Sequence, residues 1–202
     1  MLKIKKLGEE KNIRIIVDPY IPLWLYFGKD TQQIESFNIS DFKKNILVVK
    51  KNFYTNEIYE ICLIFCNKVI FSNKILDYNK KNIRKFEGIP QIYDKNNKLN
   101  SGKEIYNDFR IFYSRDSIKI EFTNIVNNYP RILKKMIKNK DIYFETNKNG
   151  VILSIFLSNL PAKIIKNMLK ILKVKSLLEF SEECNEKNEY TLLEEPLKNQ
   201  RF

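Results

Sequence analysis

The sequence predicts an α+β fold, mostly antiparallel strands and hairpins with two or three amphipathic helices packed on them. Three observations carry that expectation. Ile118, Ile120 and Phe122 alternate with Lys119 and Glu121, the period of a half-buried strand. "NKNG" (147–150) places an Asn-Gly pair between two β-rich runs, a strong hairpin signal. "PAKIIKNMLKILKVK" (161–175) sets Lys163, Lys166, Lys170 and Lys173 against Ile164, Ile165, Met168, Leu169, Ile171 and Leu172, the spacing of an amphipathic helix.

In chain order, "LKIKK" (2–6) and "NIRIIV" (12–17) read as strands joined by "LGEEK" as a hairpin loop. Asp18-Pro19 ends the second. "YIPLWLYFG" (20–28) holds Pro22 and the sole tryptophan, and its proline excludes it from a central strand in favour of an edge or extended segment. "ILVVKK" (46–51) is a further strand. Residues 57–71 fit two templates. Helical spacing groups Ile58, Ile61, Cys62 and Phe65, with Thr55 or Asn56 as N-cap, while β-branched and aromatic content suits two strands turning at Asn67-Lys68. The helix is the preferred reading. The polar stretch 79–104, with Gly88, Pro90 and Gly102, reads as loop. "FRIFYS" (109–114) pairs with 118–122 across Arg115-Asp116. "PRILKKMIKNK" (130–140) opens on a proline suited to a first helical turn, so 130–174 reads helix, hairpin, helix. There is no internal repeat.

At the level of domains, 1–175 reads as a single basic α+β domain with a polar insertion at 78–104, and 176–202 as an acidic C-terminal tail. The chain's net charge is +12, yet from Ser176 onward seven glutamates face only Lys187, Lys198 and Arg201. A basic body points to an anionic partner. Codon bias toward AT-rich triplets is the competing account of that charge, because Lys, Asn and Ile are all abundant. Lysine outnumbers arginine 30 to 6, which disfavours base reading by arginine forks and leaves lysine as a point charge for phosphate. Hydrophobic residues at 44% suffice for a core without metal or disulfide staples. Cys62, Cys66 and Cys184 make no disulfide framework and suit a reducing cytoplasm. "MLKIKKLGEEK" lacks the apolar core of a signal peptide, and no apolar run is long enough for a membrane-spanning helix.

Absent residues exclude whole mechanisms. Without histidine there is no Ser-His-Asp or Cys-His relay, no imidazole acid–base chemistry and no common zinc site. The five glycines form neither a dinucleotide fingerprint nor a phosphate loop, so no cofactor is expected. Cys62 and Cys66 supply half a metal site at most, and read as buried structural thiols. Carboxylates near strands, namely Asp18, Asp108, Asp116, Glu121 and Glu145, leave a magnesium-dependent nuclease as the third-ranked function.

The favoured function is non-enzymatic: a basic surface engaging nucleic acid or a nucleoprotein. On a helical wheel Lys163, Lys166, Lys170 and Lys173 fall within about 80° and run about 15 Å. Arg131, Lys134, Lys135 and Lys138 form a matching ridge on the preceding helix, and Lys148 sits in the hairpin turn between the two. Six to eight such cations give salt-sensitive phosphate binding. Phe53 and Tyr54, after Lys50-Lys51, are candidates to stack on bases or to fill a core. The ranked alternative is a protein-interaction module, of inhibitor or immunity type, meeting an acidic partner through these lysines or through Tyr20, Trp24 and Tyr26. The competing reading of every lysine ridge is a solvated helix face.

Overall fold

The structure, a computed structural model, describes residues 2–28, 33–41, 44–72, 84–93, 103–106, 108–123 and 135–173. Among these the architecture is mostly β: fifteen strands in three sheets and one α-helix. The expected α+β class with two or three packed helices is therefore corrected.

A six-stranded sheet contains β2 (Ile13–Asp18), β3 (Ile21–Phe27), β4 (Ile34–Ser40), β5 (Asn45–Asn52), β6 (Ile58–Cys66) and β10 (Lys103–Tyr106), in the order β10-β4-β5-β6-β3-β2. A seven-stranded sheet contains β7 (Val69–Phe71), β8 (Arg84–Glu87), β11 (Phe109–Tyr113), β12 (Ile118–Phe122), β13 (Lys135–Asn139), β14 (Ile142–Thr146) and β15 (Ile152–Leu157), in the order β7-β11-β12-β15-β14-β13-β8. The remaining ribbon pairs β1 (Lys3–Gly8) with β9 (Ile89–Tyr93). The helix is α1 (Ala162–Ile171).

Strand parity builds one core. Leu23, Leu25, Phe37, Leu47, Val49, Ile61 and Leu63 face inward from the six-stranded sheet, and Phe109, Ile111, Ile120, Phe144 and Ile155 from the seven-stranded one. Ile165, Met168 and Leu169 of α1 join the same cluster by packing on β3 and β2. The ribbon closes the gap between the sheets, with Ile89 and Ile92 fully buried. Asn139 ties β13 to the β1–β2 connection: its Oδ1 accepts the Lys11 N–H (2.7 Å) and its Nδ2 donates to the Lys11 carbonyl (3.0 Å).

Several local expectations change. The helix preferred over 57–71 is β6 and β7, because β6 is a central strand covered on both faces. A run buried on both sides loses the period-2 signal and mimics a helix. The described part of the helix expected at 130–140 is β13, paired with β14 through a two-residue turn at Lys140-Asp141, with Lys140 in the left-handed region (φ 54°). Residues 130–134 lie outside the described residues. "LGEEK" is no hairpin loop, since β1 leaves to pair with β9 while β2 pairs with β3. Pro22 lies in a strand flanked on both sides, yet at a bulge: the register jumps from Ile16↔Trp24 to Asp18↔Ile21, and pairing with β6 begins only at Leu23. The bulge removes the demand for a proline N–H. Stretches within 79–104 read as loop are β8, β9 and β10, one in each sheet. The hairpins β11–β12 and β14–β15 and the helix after Pro161 stand as expected.

Candidate polyanion-binding surface

α1 follows β15 and turns Ile164, Ile165, Met168 and Leu169 inward, which leaves Lys163, Lys166 and Lys170 exposed on one ridge. None of the three makes an ion pair or side-chain hydrogen bond with any described residue. Lys170 sits in the last turn, where a cation favours the helix dipole, but Lys163 sits in the first turn, which contains no acidic residue. A cation there works against the dipole by roughly 0.3–1 kcal/mol. Helix stability alone therefore does not explain Lys163.

Lys173 is exposed but lies past the helix. Its φ is 53°, and its N–H donates to the Lys170 carbonyl at 3.1 Å, so it ends the helix in a left-handed turn that usually falls to glycine. Lys173→Gly is expected to raise stability by about 1 kcal/mol, read as a higher urea midpoint; an unchanged or lower midpoint contradicts this.

The second ridge does not form. Lys135 and Lys138 lie three apart on a strand, so they point to opposite faces of the sheet: Lys135 shares the side of Ile137, Lys138 that of Met136. Arg131 and Lys134 lie outside the described residues. Lys148 is exposed in the β14–β15 turn, at the opposite end of β15 from α1. Beside β13, the edge strand β8 exposes Arg84 and Lys85, which the loop reading passed over. Their sequence signal was the Arg-Lys pair before an apolar residue. Charged residues on an open sheet edge also block edge-to-edge association.

Seven of the remaining described cations are committed elsewhere, whereas Lys6, Lys44, Lys85 and Lys148 are, like the α1 lysines, exposed without an ion pair to a described residue. Lys50 pairs with Glu60 (2.7 Å), Lys51 with Glu35 (2.9 Å), Lys11 with Glu57 (3.4 Å) and Lys140 with Glu10 (3.1 Å). Lys68 binds Asp108, whose hydrogen bond raises the ammonium pKa. On the outer face of the seven-stranded sheet, Arg110 donates to Glu121 through Nε (3.0 Å) and Nη2 (2.6 Å), and Lys119 bridges Glu121 (3.4 Å) and Glu145 (3.0 Å).

These pairs also account for the strand carboxylates. Asp18 accepts the Tyr20 N–H, and Asp116 caps the β11–β12 turn through Ser114 and Ser117. Glu121 and Glu145 come together around Lys119, a relation the sequence signalled only through the Lys119/Glu121 parity. Among the described residues no group of three or more His, Cys, Asp or Glu side chains is placed to hold a metal ion. Cys62 and Cys66 are free and buried. Burial, then the Glu60 hydrogen bond and charge, push the Cys62 thiol far up, and burial pushes Cys66 up to about 12. Cys184 lies outside the described residues.

The aromatic candidates divide. Tyr20 is exposed in the β2–β3 turn, whereas Trp24 and Tyr26 are half-buried on the face of the six-stranded sheet turned away from the core, edge to face at 6.4 Å. Tyr26 hydrogen-bonds Tyr59, and the Trp24 indole N–H is buried without a partner. Phe53 and Tyr54 project from the β5–β6 turn as an edge-on pair (5.5 Å), but the lysines before them are held by Glu60 and Glu35. An open cavity of about 660 Å³, lined in part by Glu10, Lys11, Thr55 and Glu57, contains none of the expected site residues. No helix among the described residues is long and apolar enough to cross a membrane. No protein-family model matches the chain, and no curated protein resembles it in sequence.

Proposed function

We propose that the protein works by binding rather than catalysis, engaging the phosphate backbone of nucleic acid, free or in a nucleoprotein, through the exposed lysines of α1. The observation that carries this reading is Lys163, a first-turn cation set against the helix dipole, without an acidic partner and in line with Lys166 and Lys170. Cys62 and Cys66, buried and free of disulfides, suit a reducing compartment, and the proposal places the protein in the cytoplasm.

The reading implies a magnitude. Three helical lysines plus Lys173 give a log–log salt slope of about −3 to −4 on duplex DNA, a loss of roughly 100-fold between 50 and 200 mM salt. Fluorescence anisotropy with a short labelled duplex measures it. Lys163→Gln/Lys166→Gln/Lys170→Gln is expected to make the slope shallower by about 3, because each lost phosphate contact removes about one counterion. Binding with the wild-type slope in that variant, or no wild-type binding at 50 mM salt, sinks the reading.

The second reading, a protein-interaction module for an acidic partner, rests on Tyr20, which is 87% exposed beside the Trp24 strand. It calls for a weaker salt dependence and for loss of binding on Tyr20→Ala.

A further inference from the structure

We infer that the acidic tail, 176–202, is an intramolecular competitor for the α1 lysines, so that the chain carries its own polyanion mimic. This rests on the binding reading above and concerns regulation of the same surface. Three facts converge. Lys163, Lys166 and Lys170 are exposed and without an ion pair to any described residue, while Lys11, Lys50, Lys51, Lys68, Lys119 and Lys140 each hold a carboxylate. The tail holds seven of the chain's 24 carboxylates, Glu179, Glu182, Glu183, Glu186, Glu189, Glu194 and Glu195, against three cations. The tail also begins just after the ridge, because α1 ends just before Lys173, which sits in the left-handed region.

Reach and concentration are both sufficient. The ridge from Lys163 to Lys170 spans about 11 Å, and four extended residues at about 3.3 Å each cover it. A tether this short holds the carboxylates at an effective concentration of about millimolar. Each exposed ion pair contributes little alone, but several formed together from a tethered segment compete with a weakly bound outside ligand. A ligand that finds the ridge free one time in ten binds about tenfold more weakly. Polyanions long enough to displace the tail then bind, while short ones do not.

The test uses the full chain and two readouts. The first is affinity for a labelled 12-base-pair duplex at 50 mM salt. Changing all seven tail glutamates to Gln is expected to tighten binding about tenfold, and by less than twofold when Lys163, Lys166 and Lys170 are already Gln. An equal gain in both backgrounds overturns the inference, because it shows a general charge effect. The second readout needs no nucleic acid: zero-length carbodiimide coupling followed by peptide mapping. Amide links within one chain from Lys163, Lys166 or Lys170 to tail glutamates, lost at 0.5 M salt, are expected. Their absence overturns the inference even if the duplex binds. Links in a protein that binds no duplex overturn the nucleic-acid reading instead and leave the tail on the ridge.

Discussion

Lys119→Met lowers folding stability by about 3–5 kcal/mol, the cost of removing one partner from a buried ion pair. Strand parity creates the dependence. Lys119 and Glu121 share the outer face of β12, and the registers Glu121↔Ser154 and Glu145↔Ser154 bring Glu145 into the same row two strands away. The Glu145 side chain is only 2% exposed, and Lys119 is the only cation paired with it among the described residues. Its Oε2 accepts from both Lys119 and the Ser154 hydroxyl, while its Oε1 has no partner at all. Methionine therefore leaves a charge stranded in a site already short of one hydrogen bond. Glu145→Gln in the same chain removes that charge, so the double variant recovers a large part of the loss. Urea unfolding at pH 7 measures all three proteins. A Lys119→Met cost below 1 kcal/mol, or losses that simply add, contradicts the account.

The Glu121 carboxyl, which shares Lys119, makes part of the stability pH-dependent. Burial by itself pushes the Glu121 carboxyl up, but the Arg110 hydrogen bonds, with Lys119 and the charge of both, outweigh it and hold the pKa below the ordinary 4.5. A depressed carboxylate pKa stabilises the fold fully above the unfolded value, and the contribution disappears as pH falls through the folded one. Stability attributable to Glu121 is thus present at neutral pH and lost below about pH 4.5.

β14–β15 is legible through its Asn149-Gly150 turn, since every residue of β15 is buried. β11–β12 and α1 instead show their period because one side meets the core and the other meets water or charge. β6 does not, because Glu60 and Cys62 are buried on its outer side as thoroughly as Ile61 and Leu63 are on its inner side. In β13 the pair Lys135 and Lys138 imitates a helical ridge at three-residue spacing, and five residues are too few to separate the periods. Polar β8 and β10 are edge strands, which need no apolar signature, and β1–β9 pairing joins residues more than 80 apart in sequence. Of the candidate surface, the α1 lysines were readable from the sequence. Their contrast with the paired lysines elsewhere was not, since it depends on which carboxylates the sheets bring within reach.

Gly88→Ala is expected to cost about 3 kcal/mol or more, and its size tests how the ribbon is held to both sheets. Gly88 links β8, in the seven-stranded sheet, to β9, in the ribbon, and its N–H donates to the Lys138 carbonyl at 2.9 Å. Its φ is 127°, a conformation nearly confined to glycine, and a Cβ there would lie 2.3 Å from the Gly8 carbonyl oxygen. That oxygen belongs to backbone already paired in register, Gly8 with Ile89 and Leu7 with Pro90, so it has no side-chain freedom with which to yield. Either the β1–β9 pairing shifts, exposing part of the buried Ile89, or β8 pulls away from β13. Gly28 provides the internal control. Its φ is 91°, but the nearest atom to an added Cβ is the flexible Lys11 Cδ at 3.8 Å. Gly28→Ala therefore carries the conformational cost alone, about 1–2 kcal/mol. The difference between the two variants in urea unfolding isolates the backbone collision. Equal losses contradict the account, because the ribbon would then have room to give at the point where the structure shows none.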